Sequence, residues 1–284
     1  MEDSLPDLGV DRPQMARIYD RLLGGKDNYW ADQHFADRVL SVFPGLRDAV
    51  WGNRAFLLRS ARHVARAGID QFLEIGIGIP MWPNVHEVAQ EENPGARVVY
   101  VDNDPIVLAH ARALLVGTRA GRVEVLTADA TDPAAVLDSG EVAATLDLSR
   151  PVGLSLVELL HFLDGDQVQG IVDGFADRLA PGSYLTLTHA TADFAPESMA
   201  AAAEVFNREG VWLATRTREE FTRLFGNAEL IDPGIVPPHL WCPDASPDHV
   251  LDPEPSDDPD AVVPSLSQRR QSWMSSYAGV ARIR

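Results

Sequence analysis

Apolar residues recur at two periods along the 284-residue chain, and the change between them divides it near residue 68. Residues 11–67 follow a helical period. From Arg47 to Ala67, Val50, Ala55, Phe56, Leu58, Ala61 and Val64-Ala65 alternate with arginines as an amphipathic helix requires, and Gly68 supplies its stop. Upstream, the two glycines of Leu22-Leu23-Gly24-Gly25-Lys26-Asp27-Asn28-Tyr29-Trp30 break the helical pattern and predict a loop.

From residue 69, short continuous apolar runs alternate with helical patterns. Strands are predicted at 71–75, 97–101, 123–127, 152–157 and 184–188, with helices at 84–92, 105–115, 133–139 and 167–179. Strands buried on both faces read as unbroken apolar runs, and their alternation with helices requires crossover connections. The expected fold is therefore α/β: a doubly wound, mostly parallel sheet preceded by a helical cap, with 1–67 as cap and lid and 68–284 as the sheet domain. Helices are also expected at 195–208 and 217–225, and a terminal edge strand at 278–283. Residues 243–264 hold seven acidic residues, six prolines and no lysine or arginine, a composition that predicts an extended, solvated loop.

Charge narrows the function. With 42 acidic against 24 basic side chains the net charge is −18, which disfavours nucleic acid or an anionic membrane as partner. Seven of those negative charges lie in 243–264, so the remainder carries about −11 by the same count. The one cysteine, Cys242, can form neither an internal disulfide nor a thiolate cluster. The acidic start lacks the pattern of a signal peptide, and the longest apolar stretch is interrupted by Glu158 and His161, so a cytoplasmic location without membrane contact is expected. The eight histidines show no paired ligand spacing, and no metal site is expected.

The chemistry concentrates at strand ends. The first strand, Phe72-Leu73-Glu74-Ile75, runs into Gly76-Ile77-Gly78, where glycines allow a ligand close to the backbone. The second ends in Asp102-Asn103-Asp104, where a carboxylate can accept both hydroxyls of a ribose, and the third ends at Asp129-Ala130. A dinucleotide fingerprint would need a third glycine, but that position is Met81. Glu74 would repel a pyrophosphate and suits a cationic ligand; S-adenosylmethionine, with an ammonium and a sulfonium, fits better than a nicotinamide dinucleotide.

These segments resemble the class I S-adenosylmethionine-dependent methyltransferases, and most closely a bacterial family of S-adenosyl methyltransferases of undetermined substrate. The resemblance rests on Arg17 through Tyr29, Phe72 through Gly78, Asn84 through Gln90, Val99 through Pro105, Leu160-His161-Phe162 and Asp232-Pro233-Gly234. It implies a seven-stranded Rossmann-like sheet, with Glu74, Gly76 and Gly78 at the methionyl part of the cofactor. By the same resemblance Asp102 holds the ribose with Asn103 beside it, and Asp129 with Ala130 lies at the adenine. Ile77 and Met81-Trp82 depart from the small or hydroxylated residues usual in this turn.

Methyl transfer needs an in-line approach that positioning can supply, so a base is optional. If one is used, Glu158 and His161 after the fourth strand are the catalytic candidates, although His161 also suits simple packing beside Leu160 and Phe162. The 24–30 loop is expected to fold over the cleft as a lid, with Tyr19 and Tyr29 stacking on adenine or substrate and Lys26 binding a carboxylate. The leading expectation is methyl transfer to a small molecule. A non-catalytic sensor of S-adenosylmethionine or its product, and a nicotinamide-dependent oxidoreductase, are the alternatives.

Overall fold

The computed structural model describes residues 8–241 and 275–284. Three helices come first: α1 (Met15–Leu22), α2 (Trp30–Val42) and α3 (Leu46–Arg66). The alternating part follows as β1 (Gln71–Ile75), α4 (Val85–Glu92), β2 (Arg97–Asp102), α5 (Pro105–Leu114), β3 (Arg122–Thr127), α6 (Pro133–Leu137), α7 (Gly140–Thr145), β4 (Gly153–Leu156), α8 (Val168–Ala176) and β5 (Tyr184–Ala190). The chain continues through α9 (Pro196–Arg208), α10 (Arg218–Arg223), β6 (Glu229–Leu230) and β7 (Ser276–Arg282).

The seven strands form one sheet in the order β3-β2-β1-β4-β5-β7-β6. Strands β1 to β5 pair in parallel, whereas β7 pairs antiparallel with both β5 and β6. Every residue of β1, β4 and β5 is buried, which is why these strands read as mostly apolar runs. The expected terminal edge strand is corrected: β7 lies inside the sheet, and the edge is the two-residue β6, which carries too little apolar pattern to announce itself. Helix α7 was also not expected, its six residues being under two turns. The acidic 243–264 segment and Cys242 lie outside the described residues.

Three apolar clusters hold the molecule together. One packs β1, β2, β4 and β5 against α6, α7, α8 and α10, and a second packs the other sheet face against α3, α4 and α5. The third joins α1, α2 and α9 with Val50 of α3. Helix α3 thus serves both the sheet and the cap, and its residues Gly52 to Ala61 are buried around the whole helix. The order of the parallel strands reverses between β1 and β4, and a crevice opens there at the carboxyl ends of the strands. No helix among the described residues is long and apolar enough to cross a membrane.

Candidate functional site

The crevice is a cavity of about 270 Å³ bounded below by strand ends and above by α1, α3 and α9. Its floor begins at the glycine turn. Gly76 and Gly78 have φ of 72° and 64°, a left-handed conformation in which other residues are strained. A Cβ on Gly76 would also stand 3.0 Å from Leu159 Cδ1. The turn is tied to β2: the Gly76 N–H donates to the Val101 carbonyl at 2.8 Å, and the Gly78 N–H to Asp102 Oδ2 at 3.1 Å. Asp102 accepts a further bond from the Asp104 N–H at 2.9 Å, so its carboxylate is fixed before any ligand arrives. Burial pushes its pKa up, and these backbone donors pull it part of the way back.

Asp104 in turn caps α5, accepting from the Ile106 N–H at 2.6 Å with Pro105 in the first turn. The sequence Asp102-Asn103-Asp104-Pro105 therefore divides its labour, one carboxylate for the cavity and one for the helix. At the end of β3, Asp129 accepts from the Thr131 hydroxyl at 2.7 Å and its N–H at 2.8 Å, which holds its carboxyl below the usual range. Asn103 Nδ2 donates to Asp129 Oδ2 at 3.2 Å, and Asn103, Asp129 and Ala130 all line the cavity.

Deeper in, Glu74 at the end of β1 is only 6% exposed, and its Oε2 has no hydrogen-bond partner. Burial pushes its pKa up to about 7, although the Arg54 guanidinium opposes the shift. Arg54 reaches down from α3, bonds the carbonyls of Met81 and Pro83, and lines the same cavity. Sequence reasoning missed Arg54, because a charge between apolar positions reads as the solvated face of a helix. The usable signal was the length of the uncharged-to-apolar run around it, which leaves α3 no solvated face there. Met81 and Trp82 leave the cavity open: Trp82 points outward at 72% exposure, and Met81 packs into the cap cluster.

Glu158 and His161 also line the cavity. Glu158 has φ 55°, the left-handed region rarely occupied by a residue with a side chain, and its N–H donates to Thr188 Oγ1 at 2.9 Å. Asn53 of α3 donates to the Glu158 carboxylate and, at 3.0 Å, to Ser276 Oγ of β7. Burial pushes the Glu158 pKa up to about 7. His161 Nε2 stands 3.8 Å from Glu158 Oε2, while His161 Nδ1 has no partner. Burial, with His189 nearby, drives the His161 pKa well below its ordinary value, so the ring is neutral at pH 7. Tyr19 completes the roof, its hydroxyl donating to the Val50 carbonyl at 3.3 Å.

Lys26 and Tyr29, expected to reach over the cofactor, are not among the described residues that line the cavity. The 24–30 loop folds back on α1 instead. Asp20 Oδ2 accepts from the Asp27 N–H at 2.9 Å and from Asn28 Nδ2 at 2.8 Å. A Cβ on Gly25 would fall 1.9 Å from Asp20 Oδ1, so only glycine fits. Lys26 is exposed at the tip. Tyr29 starts α2: its N–H donates to Asp32 Oδ2 at 2.8 Å, and its ring lies 5.3 Å from the Arg17 guanidinium. Arg17 and Asp32 form a fully buried ion pair at 2.8 Å, and Arg17 also donates to the carbonyls of Leu8, Gly9 and Arg12.

The geometry has close parallels among known proteins. A DUF574 family protein from Streptomyces avermitilis MA-4680 superposes with a TM-score of 0.87 at 38% identity, over 98% of this chain and 100% of its own. A protein from Thermobifida fusca YX with a provisional methyltransferase designation gives 0.82 at 39% identity, over the full length of both chains. Among curated proteins none matches. The profile of the S-adenosyl methyltransferase family matches residues 1–284. The chain therefore belongs to the S-adenosyl methyltransferase family, and is a methyltransferase whose cofactor is S-adenosyl-L-methionine.

Proposed function

We propose that the protein methylates a small molecule held under the helical cap, chiefly by proximity and orientation. The observation that carries this reading is the unpartnered, buried Glu74 oxygen beside the glycine turn of a cavity roofed by helices. A buried carboxylate oxygen without a donor is costly, and a cationic ligand group relieves that cost. The residues present fit the cofactor along its whole length. Glu74 receives the ammonium and Arg54 the carboxylate of the methionyl end, while Gly76 and Gly78 let that end approach the backbone. Asp102 takes the ribose hydroxyls with Asn103 beside it, and Asp129 with Ala130 borders the adenine.

S-adenosyl-L-methionine, when bound, supplies an electrophilic methyl group on a sulfonium sulfur. The protein's own work is to align an acceptor, exclude water and take up a proton. Tyr19 and the apolar side chains of α1 and α9 close the roof against water. A carboxyl whose pKa is about 7 is matched to proton uptake at neutral pH, which gives Glu158 the role of base. Asn53 holds that carboxylate toward the cavity. His161 stays neutral and offers the acceptor a hydrogen bond rather than a charge. The net charge of −18 and the roofed site both argue for a small acceptor over a nucleic acid.

The test is transfer of an isotopically labelled methyl group to the small-molecule fraction of a bacterial extract. Labelled product is expected from the wild type, with Glu158→Gln slowing its formation by roughly 100-fold while S-adenosylhomocysteine affinity stays within about twofold. Label found only in nucleic acid or protein would overturn the small-molecule reading, and an undiminished rate in Glu158→Gln would remove the base.

A further inference from the structure

The cavity extends past Glu158 and His161 into the space between α1, α3 and α9, beyond what the cofactor's recognition groups occupy on the reading above. Its wall there is apolar almost throughout, with Met15, Ile18, Phe43, Leu46, Met199 and Phe206 as the principal side chains. All six belong to, or pack against, the cluster that joins the cap helices. Of the described residues lining the cavity, Arg54 is the one lysine or arginine, and it is engaged by two backbone carbonyls and faces Glu74. The carboxylates Glu74, Asp102 and Asp129 sit at the strand ends, on the opposite side from the cap wall.

An acceptor lying in the outer space therefore meets hydrocarbon on most sides. A charge on its far end would lose hydration and find no counter-ion among the described residues. A second carboxylate would in addition face the carboxylate of Glu158. The wall also has an aromatic side. The Phe162 and Phe206 rings lie 6.1 Å apart and are inclined by only 21°, and Phe35 braces Phe206 edge-on at 4.9 Å. Both Phe162 and Phe206 line the cavity, and such a braced pair presents a surface on which a planar ring packs well. The polar atoms that face this space are concentrated at Tyr19, Glu158 and His161, with Gln14 at the α1 end.

We propose that the outer chamber takes an uncharged, largely apolar ring compound bearing one protic group, a hydroxyl or a ring or secondary N–H, which faces Glu158. This rests on the assignment of the strand-end half of the cavity to the cofactor. The apolar wall supplies most of the binding, and the single polar group sets the orientation by donating to Glu158. Compounds that carry a carboxylate or phosphate on the ring system are disfavoured, since the described residues of the chamber offer no counter-ion beyond the engaged Arg54.

The experiment uses the full chain saturated with S-adenosylhomocysteine and two probes that share one ring system, 2-naphthol and 2-naphthoate. Titration calorimetry at pH 7 is expected to show 2-naphthol binding at least about tenfold more tightly than 2-naphthoate. Ala202→Asp places a polar carboxyl on the apolar α9 face of the chamber, where Ala202 is 2% exposed and lines the cavity. This variant is expected to weaken 2-naphthol by at least about tenfold while keeping its affinity for S-adenosylhomocysteine. If it fails to fold, the two probes on the wild type decide alone. Equal or tighter binding of 2-naphthoate, or no binding of 2-naphthol to protein that does bind S-adenosylhomocysteine, would overturn the proposal. Failure of S-adenosylhomocysteine itself to bind would overturn the cofactor assignment and this proposal together.

Discussion

Replacing Glu74 with glutamine is expected to weaken S-adenosylhomocysteine binding by roughly 10- to 100-fold, or ~1.5–3 kcal/mol, the range for a hydrogen bond to a charged group. The side chain keeps its shape, so the loss reports the charge. The pH dependence carries a sharper signature. Burial raises the Glu74 pKa to about 7, so below pH 7 the empty site holds a neutral carboxyl that attracts an ammonium poorly. Wild-type affinity should therefore rise from pH 6 to pH 8 and level off, while Glu74→Gln loses this rise. Stability of the ligand-free protein should run the other way. Between the ordinary glutamate range and about 7 the folded chain holds a proton that the unfolded chain has released, so stability falls as pH rises through that window. Glu74→Gln should remove its share of this decline, the rest belonging to Glu158, whose pKa burial raises to the same range. Calorimetric titrations and urea unfolding at four or five pH values check both halves.

The second large effect lies far from any ligand. Arg17→Ala is expected to cost ~3–5 kcal/mol of stability, the usual loss when one member of a buried ion pair is removed. Both side chains are almost wholly buried, and Arg17 also satisfies three backbone carbonyls of the segment before α1. Its loss would leave Asp32 with the N–H groups of Gln14 and Tyr29 but no countercharge. The double variant Arg17→Met/Asp32→Leu should recover only the part of the loss that comes from the unpaired charge, because the carbonyls of Leu8, Gly9 and Arg12 and the N–H groups of Gln14 and Tyr29 lose these partners in it as well. A shift of under about 1 kcal/mol for Arg17→Ala in urea unfolding would mean that the pair does not organise the cap.

The contrast between these two residues shows what could be read in advance. Glu74, Gly76, Gly78, Asp102 and Asp129 were legible because a parallel sheet places its strand ends on one rim, so the position of each run in the chain already locates its last residue. Strands β1, β2, β4 and β5 were legible for the related reason that burial on both faces keeps them mostly apolar, while β3, only partly buried, still alternates with valine and leucine. The placement of β7 between β5 and β6 was not, since antiparallel pairing of a distant segment leaves no local pattern. Arg54 and Asn53 were hidden by helical periodicity, which assigns polar residues to solvent. The Gly24–Trp30 segment is ambiguous for a different reason. A lid and a turn wrapped around Asp20 use the same small and polar residues, and the packing on Asp20 shows only in that a Cβ added at Gly25 would fall 1.9 Å from Asp20 Oδ1.

On the proposed function, one cavity holds the cofactor along the strand ends and the acceptor beneath the cap. A crystal structure of the protein with S-adenosylhomocysteine tests it most directly. The ammonium is expected within hydrogen-bond distance of Glu74, both ribose hydroxyls on Asp102, and the sulfur facing the space beside Glu158. An adenosine seated among Met199, Ala202 and Phe206, with Glu74 still unpartnered, would contradict it.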